Sequence, residues 1–157
     1  MARRKYAEGT EVSIGRSRDE IENTLERFGA SGQLWLRDNE REVVTIGFKC
    51  EERTYKFTIR LPPLGDFRTT PSGRWERTDI QAKNAQDAET RRRFRSLANY
   101  IKAILDAIDT GIIEAEEALM PYLVLHSGET VYERVQLQLK DGFSVDLSRV
   151  LPEGKAH

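Results

Sequence analysis

Three short runs of alternating apolar residues between positions 33 and 60 constrain the fold of this 157-residue chain more than any other feature. Alternation with a period of two places every second side chain on the same face of a β-strand. Short polar groups, DNER and CEER, separate the runs, and two prolines at 62–63 follow the third. The apolar members are Leu34 and Leu36, then Val44, Ile46 and Phe48, then Tyr55, Phe57 and Ile59. The pattern predicts a three-stranded antiparallel meander.

A helix is predicted before the meander. Ser17 and Glu20 match the capping box S-x-x-E, in which each side chain satisfies a backbone N–H of the other residue. Gly29 can adopt the left-handed conformation that ends many helices. These signals predict a helix over residues 18–28.

Two helices are predicted after the meander. Apolar residues with helical spacing predict a long helix from about Asp87 to Asp109 and a shorter one over residues 113–123. We expect one shared core formed by Ile21, Leu25, Phe28, Phe57, Ile59, Phe94, Leu97, Ile101 and Leu105.

The C-terminal segment alternates again. VYERVQLQL and FSVDLSRVL flank the turn residues Lys140, Asp141 and Gly142, which predicts a β-hairpin. The whole sequence therefore predicts an α+β fold in the order α-β-β-β-α-α, with helices packed on one face of the meander and a C-terminal β-hairpin.

Composition argues against several classes of protein. The chain has one cysteine, two histidines and a net charge of −1, so neither an internal disulfide nor a zinc-type ligand set is expected. No apolar run approaches the roughly 18 residues of a membrane span, and we expect a cytoplasmic protein that does not engage membranes. No nucleotide-binding or hydrolase motif is present. We expect no enzymatic activity, no catalytic residue, no cofactor and no metal.

Charge is distributed unevenly along the chain. Residues 60–102 hold ten basic and five acidic side chains, whereas residues 103–157 hold four and ten. Such asymmetry favours an anionic partner for the basic segment, or an acidic segment packed against it within the same molecule. The sequence leaves both interpretations open.

An arginine cluster, Arg91, Arg92, Arg93 and Arg95, lies at the start of the predicted long helix. Positive charge there opposes the helix dipole, whose N-terminal end is already positive, so the placement costs stability. The arginines and the free N–H groups of the helix start would together suit the binding of phosphate groups. Lys102 falls within about 40° of Arg91 and Arg95 around the helix. The alternative is that Asp87, Glu89 or the acidic residues at 114–117 neutralise the cluster.

A long loop is predicted over residues 62–86, and it combines cations with an aromatic residue. This combination is typical of surfaces that bind unpaired nucleic acid by phosphate attraction and base stacking. The residues are Arg68, Arg74, Trp75, Arg77 and Lys83. Two alternatives remain open: the loop is a flexible linker, or Trp75 folds back to cap the sheet.

The segments YAEGTEVSIGRSRDEIENTLERFGA (6–30) and RRFRSLANYIKAILDAIDTGI (92–112) resemble a family of small proteins from bacteriophage and prophage genomes. The family carries no assigned catalytic residues. The resemblance spans about residues 6–131 and implies a single domain over 1–131, with 132–157 as an extension that carries the hairpin and tail. It also implies an origin where accessory proteins serve DNA replication and recombination or blunt host defence.

Two functional hypotheses follow. The first is an accessory subunit that binds nucleic acid, as a single strand or within a nucleoprotein assembly, through the basic loop and the arginine cluster. The second is a protein-binding anti-defence or regulatory module that acts through its acidic segment at 106–117. The oligomeric state stays undetermined at this level. The candidate nucleic-acid-binding residues are Arg68, Arg74, Trp75, Arg77, Lys83, Arg91, Arg92, Arg93, Arg95 and Lys102.

Overall fold

A computed structural model describes residues 11–140 of the chain, apart from the side chain of Leu137. Within this range one three-stranded antiparallel sheet and four α-helices form an α+β fold, as the sequence predicts. The elements are α1 (Ile14–Phe28), β1 (Gly32–Asp38), β2 (Val43–Cys50), β3 (Arg53–Arg60), α2 (Asp79–Asp109), α3 (Ala115–Leu119) and α4 (Val131–Lys140). Single 3₁₀ turns occur at Leu64–Phe67 and Met120–Tyr122.

The sheet is the predicted meander, with the strands in the order β1-β2-β3. Its register aligns Trp35 of β1 with Ile46 of β2 and Phe57 of β3, and all three side chains face the helices. Leu34 and Leu36 therefore lie on the opposite face, where they are 62% and 57% exposed. The run Leu-Trp-Leu is apolar at every position, so its period could not show which face is buried.

The helices α1 and α2 pack side by side on the inner face of the sheet. They run in the same direction, because Glu20 contacts Arg95 while Phe28, near the end of α1, lies beside Asp109 at the end of α2. Trp35 stacks on Phe94 with ring centroids 6.4 Å apart. The predicted core is confirmed, with seven of its nine members buried and Phe28 and Ile59 partly buried against them.

The helix α1 begins earlier than predicted. Ser13 is its N-cap, since the Ser13 hydroxyl accepts a hydrogen bond from the N–H of Arg16 at 3.1 Å. Ser17 lies one turn inside the helix and is fully buried, so the capping box predicted for it is wrong. Gly29 does end the helix in the left-handed conformation, with φ of 103°.

The helix α2 also begins earlier, at Asp79 instead of Asp87. Thr78 and Gln81 form a capping box, with hydrogen bonds of 3.2 and 3.0 Å. The added turns bury only Ala82, and for that reason they show no apolar period in the sequence. The helix has 31 residues, a length of about 46 Å. The predicted loop therefore ends at position 78.

The sequence predicts that the first strand of a C-terminal hairpin begins at residue 131. This prediction is wrong, because residues 131–140 form α4. Thr130 and Glu133 cap this helix reciprocally, through hydrogen bonds of 2.7 and 3.2 Å. Glu133 also pairs with Lys56 at 3.2 Å, which holds the start of α4 against β3. The turn at 141–142 and the second predicted strand lie outside the described residues. The domain boundary at 131/132 stays a prediction.

Candidate nucleic-acid interface

A small β-hairpin occupies residues 68–77, between the sheet and α2. Its ends are joined by a hydrogen bond from the N–H of Arg77 to the carbonyl of Arg68 (2.7 Å). Thr69 bridges to Glu76, and the tip turns through Gly73 with a left-handed φ of 69°. The segment is an ordered hydrogen-bonded hairpin, which argues against the flexible-linker interpretation.

The side chain of Arg77 holds this hairpin together. Its Nη1 donates to the carbonyl oxygens of Phe67 (3.3 Å) and Thr69 (3.0 Å). These bonds satisfy backbone acceptors that the hairpin ladder leaves open. Arg77 therefore belongs to the scaffold of the candidate site.

Trp75 lies beside the hairpin tip and is 72% exposed. It does not belong to the core cluster, so the alternative in which it caps the sheet is wrong. Ile80, on the first turn of α2, is 75% exposed as well. Ile80 is not among the residues predicted from the sequence, although the capping box of Thr78 and Gln81 could have placed it on the first turn of a helix.

Three basic side chains on the hairpin and the start of α2 are exposed. Arg68 pairs with Asp79, and Lys83 pairs with Asp87 at 3.0 Å. In each pair both the basic and the acidic side chain are exposed. Exposed ion pairs of this kind contribute about 0–1 kcal/mol, so a phosphate can replace the carboxylate at little cost. Within residues 11–140, Arg74 has no carboxylate partner.

The arginine cluster lies about three turns inside α2 instead of at its N-terminus, because the helix begins at Asp79. The prediction that the cluster forms an anion site with the exposed N–H groups of a helix start is therefore wrong for Arg91, Arg92, Arg93 and Arg95. What the cluster does instead depends on its individual contacts.

Arg92 and Arg93 both contact Glu89. Nε of Arg92 donates to the Glu89 carboxylate at 2.7 Å, and Nε of Arg93 does so at 3.1 Å. Arg93 also donates to the carbonyl oxygen of Arg60 at the end of β3. The hydrogen bond from Arg92 lowers the pKa of Glu89, with a further contribution from Arg93. Two arginines share one carboxylate, so this half of the cluster is partly neutralised within the fold, in the way that the alternative interpretation predicts.

Arg95 connects the two long helices. Its guanidinium pairs with Glu20 of α1, at 3.0 Å from Oε1, and donates to Asn99 at 2.7 Å. The hydrogen bond from Arg95 lowers the pKa of Glu20. Both side chains of the pair are mostly covered. Arg95 therefore stabilises the packing of α1 on α2.

Arg91 differs from its neighbours in the cluster. In the part of the chain that the structure describes, no carboxylate lies within 4 Å of its guanidinium. It follows Ile80 and Asn84 along the same side of α2, within about 20° of each at 100° per residue. Lys102 lies a further 16 Å or so along the helix, in a pocket that Asp106 and Asp109 also line.

The contacts divide the predicted residues into two halves: five lie on the hairpin or the first half of α2 outside the structural contacts described above, and five do not. We call the first five, together with Ile80, the hairpin–helix surface. Its members are Arg68, Arg74, Trp75, Ile80, Lys83 and Arg91. Arg77, Arg92, Arg93 and Arg95 make structural contacts, and Lys102 lies apart.

The described residues, 11–140, also bear on metal binding, membrane insertion and thiol chemistry. No three His, Cys, Asp or Glu side chains in this range are arranged to hold a metal ion. None of the helices described there combines the length and apolarity needed to cross a membrane. Burial, and to a lesser extent Glu51, raises the pKa of the Cys50 thiol, which disfavours a reactive thiolate.

Comparison of the chain with known protein families, curated proteins and solved structures finds no match.

Proposed function

We propose that this protein binds single-stranded nucleic acid through the hairpin–helix surface, as a non-enzymatic accessory protein. The observation that carries the proposal is Trp75, 72% exposed beside the tip of an ordered hairpin. Leaving a large apolar side chain in water forgoes roughly 2–3 kcal/mol of burial free energy. An unpaired base that stacks on the indole would recover part of it.

Charge on the same surface supports a polyanionic ligand. Arg74 is the immediate neighbour of Trp75, and Arg68 lies at the base of the same hairpin. Lys83 and Arg91 extend the positive charge over about 12 Å of α2. A strand whose base stacks on Trp75 would have a flanking phosphate beside Arg74, and its further phosphates would follow Lys83 and Arg91 along α2. The recognition would be largely independent of sequence, because every base has a face to stack.

The biological setting belongs to the proposal as well. The resemblance of residues 6–30 and 92–112 to phage and prophage proteins favours a role in DNA recombination or replication. An accessory subunit of a nucleoprotein assembly is consistent with a ligand surface of this small size.

A second candidate function rests on a different surface. Ile112 is 81% exposed in the turn after α2, close in sequence to Asp106, Asp109 and Glu114. An exposed apolar side chain with acidic neighbours would suit a basic surface on a partner protein. In this alternative the protein is an anti-defence or regulatory module.

Substitution of Trp75 tests the proposal. Trp75→Ala should weaken binding to a labelled single-stranded oligonucleotide by about 1–3 kcal/mol, roughly 5- to 150-fold, because one stacked base is lost. Trp75→Phe keeps an aromatic face and should retain most of the affinity. Ile112→Ala is the matched control, since it removes an equally exposed apolar side chain from the other surface.

The outcomes separate the two candidate functions. A protein that binds oligonucleotides equally well with Trp75→Ala does not use the stacking surface, and the proposal fails. If binding to a basic partner protein is lost with Ile112→Ala and kept with Trp75→Ala, the protein-binding alternative is correct.

A further inference from the structure

The strand β1 is an unprotected edge of the sheet. Within residues 11–140 it pairs with β2 on one side and with no strand on the other. Leu34 and Leu36 are exposed on its outer face. At the opposite edge, the N–H of Val124 bonds to the carbonyl of Thr54 at 2.8 Å, which covers part of β3. An apolar edge strand without such cover is a template for pairing with another chain.

The sequence of β1 is complementary to itself. Its middle residue is Trp35, and the residues around it read Gln33-Leu34-Trp35-Leu36-Arg37. A second copy of β1, placed antiparallel about Trp35, would overlap the whole strand. Leu34 of each copy would then lie opposite Leu36 of the other, and apolar cross-strand pairs of this kind stabilise sheets.

A groove beside this edge supplies charge complementarity. It has a volume of about 550 Å³ and lies between β1 and α1, where one cation, Arg18, and two carboxylates, Glu22 and Glu26, line it together with Gln33. Nε2 of Gln33 donates to the carbonyl oxygen of Glu22 at 3.0 Å, which places Gln33 against the acidic side of α1.

The antiparallel arrangement would bring a cation to this groove. Arg37 of the second copy would lie opposite Gln33 and on the same face of the sheet, because both are odd-numbered residues of β1. Within one copy, Nε of Arg37 donates only to the neutral side chain of Asn39, at 2.9 Å. Glu22 already pairs with Arg18 at 2.9 Å, so Glu26 is the groove carboxylate that would offer this arginine a charged partner.

We propose that two copies of the chain associate through β1, antiparallel about Trp35, to form a continuous six-stranded sheet. The two-fold axis repeats every contact, so each copy supplies one Arg37 and receives the other. The inference is independent of the proposed function, because β1 and the hairpin–helix surface share no residue.

Sedimentation equilibrium tests the association and its charge pairing. The wild-type protein should have a mass twice 18.0 kDa. Arg37→Glu should raise the dissociation constant about tenfold or more, by placing like charges together. Adding Glu26→Arg to that variant should restore the dimer. Arg27→Glu changes an exposed arginine of α1 that does not line the groove and should leave the mass unchanged.

Disulfide capture tests the register. In a Cys50→Ser background, Leu34→Cys and Leu36→Cys chains are mixed and oxidised with oxidised glutathione. Directly opposite Cβ atoms lie about 5 Å apart, whereas like positions would lie diagonally at about 7–8 Å. Unlike chains should therefore cross-link in preference to like chains. A wild-type protein that is monomeric at all concentrations, or cross-linking without preference for unlike chains, overturns the proposal.

Discussion

Glu89 should be the acidic residue on which two members of the arginine cluster, Arg92 and Arg93, depend. Its carboxylate is 16% exposed and accepts hydrogen bonds from both Arg92 and Arg93. Glu89→Gln keeps the shape of the side chain and removes its charge. The substitution leaves two partly covered guanidinium groups without their shared counter-charge.

The expected cost lies between two limits. Breaking a fully buried ion pair costs about 3–5 kcal/mol, and breaking an exposed one costs about 0–1 kcal/mol. The Arg92 and Arg93 side chains are partly covered, and the glutamine still accepts one hydrogen bond. We therefore expect a loss of about 2 kcal/mol, which lowers Tm by about 4–8 °C in a domain of this size.

The dependence on pH gives a second, independent result. The pKa of Glu89 is lowered in the folded protein, first by Arg92. Its stabilising contribution is therefore fully present above the unfolded pKa of about 4.3 and disappears as the pH falls through the lower folded pKa. The difference in stability between wild type and Glu89→Gln should be largest near pH 7 and should shrink below about pH 4.

Urea unfolding of both proteins across this pH range is the assay. Asp87→Asn is the matched control, because Asp87 and Lys83 form an exposed pair two residues earlier on the same helix. We expect the control to change stability by less than about 0.5 kcal/mol. If Glu89→Gln has no larger effect than Asp87→Asn, or an effect independent of pH, the structural role assigned to Arg92 and Arg93 is wrong.

Two further predictions concern the core and the start of α1. Phe94→Ala should destabilise the protein by about 3–5 kcal/mol, because it leaves a cavity and removes the ring that stacks on Trp35; an unchanged Tm would contradict this packing. Ser13→Ala should cost about 1 kcal/mol through loss of the N-cap, whereas Ser17→Ala should increase stability, since within the described residues the buried Ser17 hydroxyl has no hydrogen-bond partner. Equal effects from both serine substitutions, measured by urea unfolding, would contradict the N-cap assignment.

The meander and the shared core were predictable because burial there has a clear period. Phe94, Leu97 and Ile101 recur at helical spacing, and the runs in β2 and β3 alternate. Prediction from the spacing of apolar residues failed where that spacing does not reflect burial. The start of α2 buries only Ala82 and therefore shows no stripe. Residues 131–140 alternate in polarity yet form a capped helix, so the local capping signal outweighed the pattern.

The candidate site was only partly predictable, because its ion pairs join residues at very different separations in the sequence, and the sequence shows only the short-range pairs. Glu89 lies three and four residues before Arg92 and Arg93, which makes those pairs readable from the sequence. Glu20 is 75 positions from Arg95, and only the parallel packing of α1 and α2 brings them together. The exposure of Trp75 also depends on a hairpin whose hydrogen bonds have no sequence motif.

The salt dependence of single-strand binding tests the proposed function most directly. Three exposed cations, Arg68, Arg74 and Lys83, and the half-buried Arg91 lie on the hairpin–helix surface. If each neutralises one phosphate, the logarithm of the binding constant should fall against the logarithm of salt concentration with a slope of about −3. Arg74→Gln combined with Arg91→Gln should reduce that slope by about half. Binding that is absent from every single-stranded oligonucleotide, or insensitive to salt, would contradict the account.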